Sequence, residues 1–215
     1  MFESAAARYD ADHSVDAFLP PAGVRLQECK AERITHAMYD SAIVKIATMG
    51  SQIVKIRAVE LSDADTLAEI YNHYVLGTVV TFEEDPISGG EMEQRIGAVR
   101  SATLPWLVAE KDGRAVGYAS ASPWKARSAY RFSVEVTVYV AQDSARNGIG
   151  SMLYGELLSI LHRLGAHAVI GGIALPNDAS VALHEKFGFK KVAHFQEVGF
   201  KFNQWIDVGY WERVL

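Results

Sequence analysis

Arg146-Asn147-Gly148-Ile149-Gly150-Ser151 follows closely on the apolar, β-branched run Val138-Tyr139-Val140 and opens a segment with helical spacing. A strand that ends in a glycine-spaced loop and runs into a helix aims several free backbone N–H groups at one point. The first N–H groups of a helix lack intrahelical partners and carry partial positive charge, so such a point binds phosphate. The pattern is not a nucleotide P-loop, because no Gly-Lys-Ser/Thr follows, and Gly155 stands at the wrong spacing for G-x-G-x-x-G. In the preceding strand, period-two alternation separates Glu135, Thr137 and Tyr139 from Val134, Val136, Val138 and Val140. A carboxylate at Glu135 is therefore half-buried. Either its pKa rises above the usual ~4.3, which suits a base, or it pairs with a lysine or arginine. A third group, Lys125, Arg127 and Arg131 beside Trp124 and Tyr130, suits a small anionic, amphipathic ligand or forms a solvated loop.

The bulk composition narrows the partners. The 215 residues, 49% of them hydrophobic, are enough for one domain or one domain with an extension. A net charge of −5 argues against nucleic acid or an anionic membrane. No apolar run approaches the ~18 residues of a membrane span. Met1 to Asp12 lacks the basic-then-apolar pattern of a signal peptide. The single cysteine, Cys29, has no internal disulfide partner, which points to the cytoplasm and to a buried or idle thiol. The seven histidines show no ligand spacing, and His184-Glu185 lacks the second His of a zinc helix, so no metal is expected.

Residues 1–50 read as an N-terminal extension of unknown role, with a breaker at Leu19-Pro20-Pro21-Ala22-Gly23 and weak helical patterning from Leu26 to Ala47. Met49-Gly50 makes a shorter translation start a further hypothesis; an intact mass beginning at Met1, from the native source, would reject it. Residues 51–215 read as the main domain. Its expected elements begin with a strand at Ile53–Arg57 and a helix from Asp63 to about Leu76 capped by Ser62. A Ser88-capped helix, Glu91 to Val99, follows. Strands Trp106–Lys111 and Arg114–Ser120 are joined at the turn signal Asp112-Gly113, and a central strand spans Phe132–Val140. Then come a helix from Gly148 to Leu164 closed by Gly165, a strand Ala168–Leu175, and a helix Asp178–Phe187 closed by Gly188. Phe189–Glu197, Phe200–Asn203 and Val208–Arg213 read as closing strands. Hairpins ahead of a βα unit predict a mixed α+β (α/β) domain with a mostly antiparallel sheet, not a doubly wound one.

In this order the motifs resemble the GNAT superfamily of N-acetyltransferases, in its phosphinothricin/methionine sulfoximine acetyltransferase branch. The residues that carry the resemblance are Asn72-His73-Tyr74, Pro105-Trp106-Leu107-Val108-Ala109, Gly117-Tyr118-Ala119, Pro123-Trp124-Lys125-Ala126-Arg127 with Ala129-Tyr130, and Glu135 with Thr137 to Val140. They continue through the Arg146–Tyr154 loop and helix start, Leu175-Pro176-Asn177-Asp178, His184-Glu185, Gly199-Phe200-Lys201, Trp205 and Asp207-Val208-Gly209-Tyr210-Trp211. The resemblance covers about residues 55 to 213. One departure stands out: Ala145 holds a position where the superfamily places Gln or Arg.

The resemblance implies a GNAT-like sheet flanked by helices and splayed at the acetyl-CoA-binding strand, and acetyl transfer from acetyl-CoA to a primary amine. It implies that Val138, Tyr139 and Val140 pair with the pantetheine arm, that Arg146, Asn147, Gly148, Ile149, Gly150 and Ser151 cradle the pyrophosphate, and that Asn177 and Ser180 assist. Glu135 becomes the general base, a backbone N–H near Val138 the oxyanion donor, and His184 the candidate acid for the leaving thiolate; the alternative for His184 is helix packing. Asn72, Tyr74 and Phe82 form one pocket wall, Trp124, Lys125, Arg127 and Tyr130 another, while Trp106 and Trp211 read as core or interface. The expected partners are a small-molecule amine and a second copy of the chain in a homodimer. Acetylation of protein N-termini or lysines, and a non-catalytic acetyl-CoA-binding module, are the rival readings.

Overall fold

The computed structural model describes residues 43–49 and 52–215. The expected breaker at Leu19–Gly23, Cys29 and the first part of the weak helical pattern lie outside the described residues. The strands are β1 (Ile43–Met49), β2 (Gln52–Ala58), β3 (Trp106–Lys111), β4 (Arg114–Pro123), β5 (Ser133–Val140), β6 (Ala168–Leu175), β7 (Lys190–Lys201) and β8 (Gln204–Val214). The α-helices among the described residues are α1 (Ala64–Gly77), α2 (Gly89–Ser101), α3 (Ile149–Arg163) and α4 (Asp178–Lys186). The strands form one sheet in the order β1-β2-β3-β4-β5-β6-β8-β7, antiparallel except where β5 meets β6.

Local chemistry accounts for most boundaries. Asp112 and Gly113 have φ of 52° and 78°, the two left-handed residues that let a two-residue turn match the twist of β3 and β4. Ser88 caps α2, and its own N–H donates to the Glu91 carboxylate at 2.7 Å. The start of α1 differs from expectation. Ser62 lies inside a short 3₁₀ turn, Leu61–Asp63, and Asp63 instead accepts the Glu60 N–H at 2.8 Å. Asp63 is buried and also accepts two 2.7 Å bonds from Arg57, which holds the turn to β2.

Two further expectations are corrected. Residues 43–47, inside the weak helical pattern, are strand; β1 pairs with β2 from Ile43↔Arg57 to Met49↔Gln52, and this pairing overrides a weak local preference. The separate strands expected at Phe189–Glu197 and Phe200–Asn203 are one strand, β7, interrupted by a bulge between Phe195 and Gly199. Glu197 sits there at φ 52°, and its N–H bonds Asp207 Oδ1 at 2.9 Å. Phe202 and Asn203, at φ 49° and 59°, make the β7–β8 turn.

The sheet is covered on two sides. Leu153, Leu157 and Leu161 of α3 pack with Ile56, Leu107, Val134 and Val136. On the other side Leu67, Ile70, Tyr71 and Val75 of α1 and Ile96 of α2 pack with Val108 and Tyr118. Trp106 and Trp211 belong to these cores. Among the described residues no helix is long and apolar enough to cross a membrane.

The feature that positions the site is a fork. β5 and β6 pair in parallel only over Ser133–Glu135 and Ala168–Ile170. Beyond Glu135 they part, and residues 136–140 keep β4 on one side and, among the described residues, have no strand on the other.

Candidate active site

The fork opens a groove of about 250 Å³. Val136 to Val140 form one wall, Ile173 and Ala174 of β6 the other, and Gly150, Asn177, Ser180, Leu183 and His184 close it from the helices. At its end Gly148 adopts φ +76°, a conformation that only glycine enters without strain, and so turns the chain into α3. Among the described residues no side chain caps α3, whose first N–H groups have no partner within the helix. Arg146 and Asn147 are exposed there, and Ile149 is buried in the core beneath.

A cation missed in the sequence stands at the same place: Lys186 at the end of α4 donates to Ser151 Oγ at 3.0 Å. The two residues are 35 positions apart, and no local spacing signals the contact. Asn177 lines the groove, but its side-chain oxygen accepts the Ser180 N–H at 3.1 Å as the cap of α4. Its first role is therefore to start that helix.

Glu135 sits at the crotch of the fork, the last β5 residue paired to β6. Burial raises its pKa above the ordinary carboxylate value, partly opposed by the charge of Lys125. It makes no hydrogen bond or ion pair among the described residues, so the structural alternative of a paired carboxylate is not what is seen. Its Oε1 lies 3.2 Å from where a Cβ on Gly172 would stand, beside the ring of Tyr210. Glycine at 172 is what leaves the carboxylate room.

His184 is brought to the groove wall as a buried imidazole. A carbonyl only accepts, so the 2.8 Å contact of Nδ1 to Ser180 O fixes the proton on Nδ1. Nε2 is buried without a partner and lies where a Cβ on Gly171 would collide with it. Burial lowers its pKa, and Tyr154 and Phe189 pack against the ring. These contacts favour the packing alternative for His184 over the donor role, since its Nδ1 proton is engaged by Ser180 O.

Next to Glu135 lies a second cavity, of about 380 Å³, lined by Val80, Phe82, Gly172, Ala174, Phe195, Val198, Val208 and Tyr210. Of the expected substrate residues, Phe82 is in this wall. Tyr74 is in the groove, where its hydroxyl donates to Val140 O at 2.6 Å and its ring packs on Tyr139. Asn72 is corrected: both ends of its amide bond the Ile87 backbone at 2.8 Å, so it fastens the 78–88 loop rather than facing a ligand. Trp124, Lys125, Arg127 and Tyr130 sit on the β4–β5 connection and line neither cavity. The Trp124 and Tyr130 rings meet edge-on at 5.3 Å, and Lys125 Nζ lies 5.1 Å from the Trp124 ring. Arg127 is exposed.

Among the described residues, a forked sheet with a bare strand edge, a helix start with no side-chain cap and a carboxylate with no hydrogen bond suit a long phosphate-bearing ligand beside a carboxylate. The Acetyltransferase (GNAT) domain model matches residues 56–209, and the chain belongs to this family. It is an N-acetyltransferase that uses acetyl-CoA. It is 40% identical over 160 residues to a phosphinothricin N-acetyltransferase of Streptomyces viridochromogenes, covering 74% of this chain and 87% of the relative. It is 33% identical to an L-methionine sulfoximine/L-methionine sulfone acetyltransferase of Salmonella typhimurium, over 72% of this chain and 91% of the relative. A phosphinothricin acetyltransferase of Sinorhizobium meliloti, solved in complex with acetyl-CoA, superposes with a TM-score of 0.74 at 34% identity, over 75% of this chain and 88% of that one.

Proposed function

We propose that this chain moves the acetyl group of acetyl-CoA to the primary amine of a small amino-acid analogue, of the phosphinothricin or methionine sulfoximine/sulfone type, by direct attack with Glu135 as general base. The observation that carries it is Glu135: half-buried, without a hydrogen bond or ion pair among the described residues, its pKa raised by burial, and beside Gly172, which lines both groove and pocket. The pantetheine arm lies along Val138–Val140 as an added strand would, and its diphosphate lies against the N–H groups of Gly148 to Ser151 and the cations of Arg146 and Lys186. The amine arrives as an ammonium and gives one proton to Glu135, directly or through a water. The neutral nitrogen attacks the thioester carbonyl, and a backbone N–H near Val138 stabilises the oxyanion. The C–N bond forms, the C–S bond breaks, and the second proton released by the nitrogen balances the departing thiolate. Lys125, whose charge acts on Glu135, serves the substrate carboxylate from the β4–β5 connection, outside the lining of both cavities, with Arg127, Trp124 and Tyr130 beside it.

The catalytic unit spans residues 51–215, with residues 1–50 an extension whose β1 adds an edge to the sheet. The enzyme works in the cytoplasm as a homodimer. What supports the dimer is the apolar surface of the last hairpin, where Val192, Phe195, Val198, Phe200, Phe202 and Trp205 are all about half exposed or more.

The test is CoA release from acetyl-CoA by wild type and Glu135→Gln, against methionine sulfoximine, phosphinothricin, methionine sulfone, free amino acids and an N-terminal peptide. Turnover of one sulfoximine- or phosphinothricin-like amine, lost in the variant, is expected. Turnover of the peptide alone overturns the substrate class.

A further inference from the structure

Lys201 ends β7 and is 1% exposed. Lysine is almost never so buried without a partner. Its Nζ donates to the carbonyls of Val75, at 2.6 Å, and Thr81, at 2.9 Å, and lies 5.0 Å from the Phe202 ring. Val75 O is one of the last carbonyls of α1, which have no partner within the helix and favour a cation. Thr81 belongs to the loop that follows, and its Oγ1 also meets the Tyr71 hydroxyl at 2.7 Å. Glu83 and Glu84 of that loop add a longer-range attraction.

Gly199 lies two residues before Lys201, on the same buried face of β7. A Cβ there would collide with Phe82 Cζ, so the Phe82 ring rests on bare glycine backbone. Two consecutive loop residues, Thr81 and Phe82, are thus seated on two alternate residues of one strand, more than a hundred positions away.

We infer that Lys201 and Gly199 are positioning residues for the amine pocket: the Lys201 ammonium ties the loop and the end of α1 to the last hairpin, and Gly199 seats the Phe82 ring that forms the pocket wall. The inference rests on the proposal that this pocket receives the amine. Neither residue touches the reacting atoms. Each acts through Phe82.

The experiment combines hydrogen exchange of residues 78–88, calorimetric acetyl-CoA binding, and steady-state kinetics on the best amine. The variants are Lys201→Met, Gly199→Ala, Phe82→Ala and the Gly199→Ala/Phe82→Ala pair. Lys201→Met is expected to speed exchange at 79–83 by about tenfold and to raise the amine KM by a similar factor, with acetyl-CoA affinity unchanged within about twofold. Gly199→Ala is expected to raise the amine KM on its own and to add nothing in the Phe82→Ala background, because the displaced ring is then gone. Unchanged loop exchange in Lys201→Met, or additive losses in the double variant, overturns the inference. Should Lys201→Met fail to fold, the Gly199–Phe82 pair decides alone. If wild type turns over no amine, the substrate proposal fails while exchange still reports whether the clamp exists.

Discussion

The groove proposed for acetyl-CoA and the pocket proposed for the amine meet at Gly172 and Ala174, beside Glu135, but are built in opposite ways. At its phosphate end the groove draws on one contiguous stretch, the end of β5, its loop and the start of α3, and offers backbone N–H groups there, while β6 and α4 supply the rest of its lining. The pocket takes side chains from the 78–88 loop, β6, the β7 bulge and β8. A backbone surface keeps its shape through most substitutions, so it suits a co-substrate that never changes. A surface of side chains from scattered segments is re-cut by one replacement, so it suits a variable amine.

Glu135→Gln attacks the joint between the two regions and has the largest expected effect. Loss of a general base lowers kcat by about 10²–10⁴-fold. In wild type kcat/KM falls on the acid side as Glu135 takes a proton, at a pH above the ordinary carboxylate range because burial raises its pKa. The variant loses that limb and retains acetyl-CoA affinity. Stability moves the other way. A carboxylate with a raised folded pKa binds its proton more tightly folded than unfolded, so its ionisation opposes folding once the pH exceeds the unfolded value. Glu135→Gln therefore raises Tm at pH 8, and the gain shrinks as the pH falls toward 4. A Tm that drops at pH 8 would mean Glu135 has a stabilising partner, and the base assignment would fall with it.

The same contrast decides what could be read from the chain alone. The strand–loop–helix of the groove is contiguous, so its spacing declares it, and the Gly148 turn and the α3 start lie where that spacing puts them. Pocket contacts span long separations and leave no local periodicity. The resemblance places Asn72 in the pocket wall, and nothing near it in the chain shows that Ile87 engages both ends of its amide. Lys186 and Lys201 reach their partners across 35 and 126 positions. The β7 bulge depends on Asp207 of the next strand, so a break was expected where a distorted strand runs through. β1 is the same case at the other edge: its residues are strand because β2 is there to pair with them.

Two substitutions sharpen the comparison at intermediate size. Phe82→Ala removes an apolar wall and is expected to shift the ratio of kcat/KM between a large and a small amine by about 10–100-fold, leaving the KM for acetyl-CoA alone. Gly148→Ala puts a Cβ on a backbone held at φ +76°, at a cost of about 1 kcal/mol. Part of that cost appears as a several-fold weaker acetyl-CoA affinity, read by calorimetry, with the preference among amines unchanged. An altered amine ranking in Gly148→Ala, or altered acetyl-CoA affinity in Phe82→Ala, breaks the division between the two regions.

The smallest expected effect concerns Ala145, the position where the superfamily places Gln or Arg. The side chain missing there is exposed, beside Arg146, and Lys186 already stands over the first turn of α3. If backbone N–H groups hold most of the diphosphate, restoring the cation in Ala145→Arg adds one exposed charge pair, worth about 0.2–1 kcal/mol. Acetyl-CoA then binds only about two- to fivefold tighter at low salt, and the gain fades near 0.5 M salt, where the screening length drops to a few ångströms. Lys186→Ala should lose a similar amount, and dephosphorylated pantetheine should be indifferent to both. A gain of a hundredfold in Ala145→Arg would mean that side chains, not backbone, set co-substrate affinity, and the groove would then be built on the same principle as the pocket.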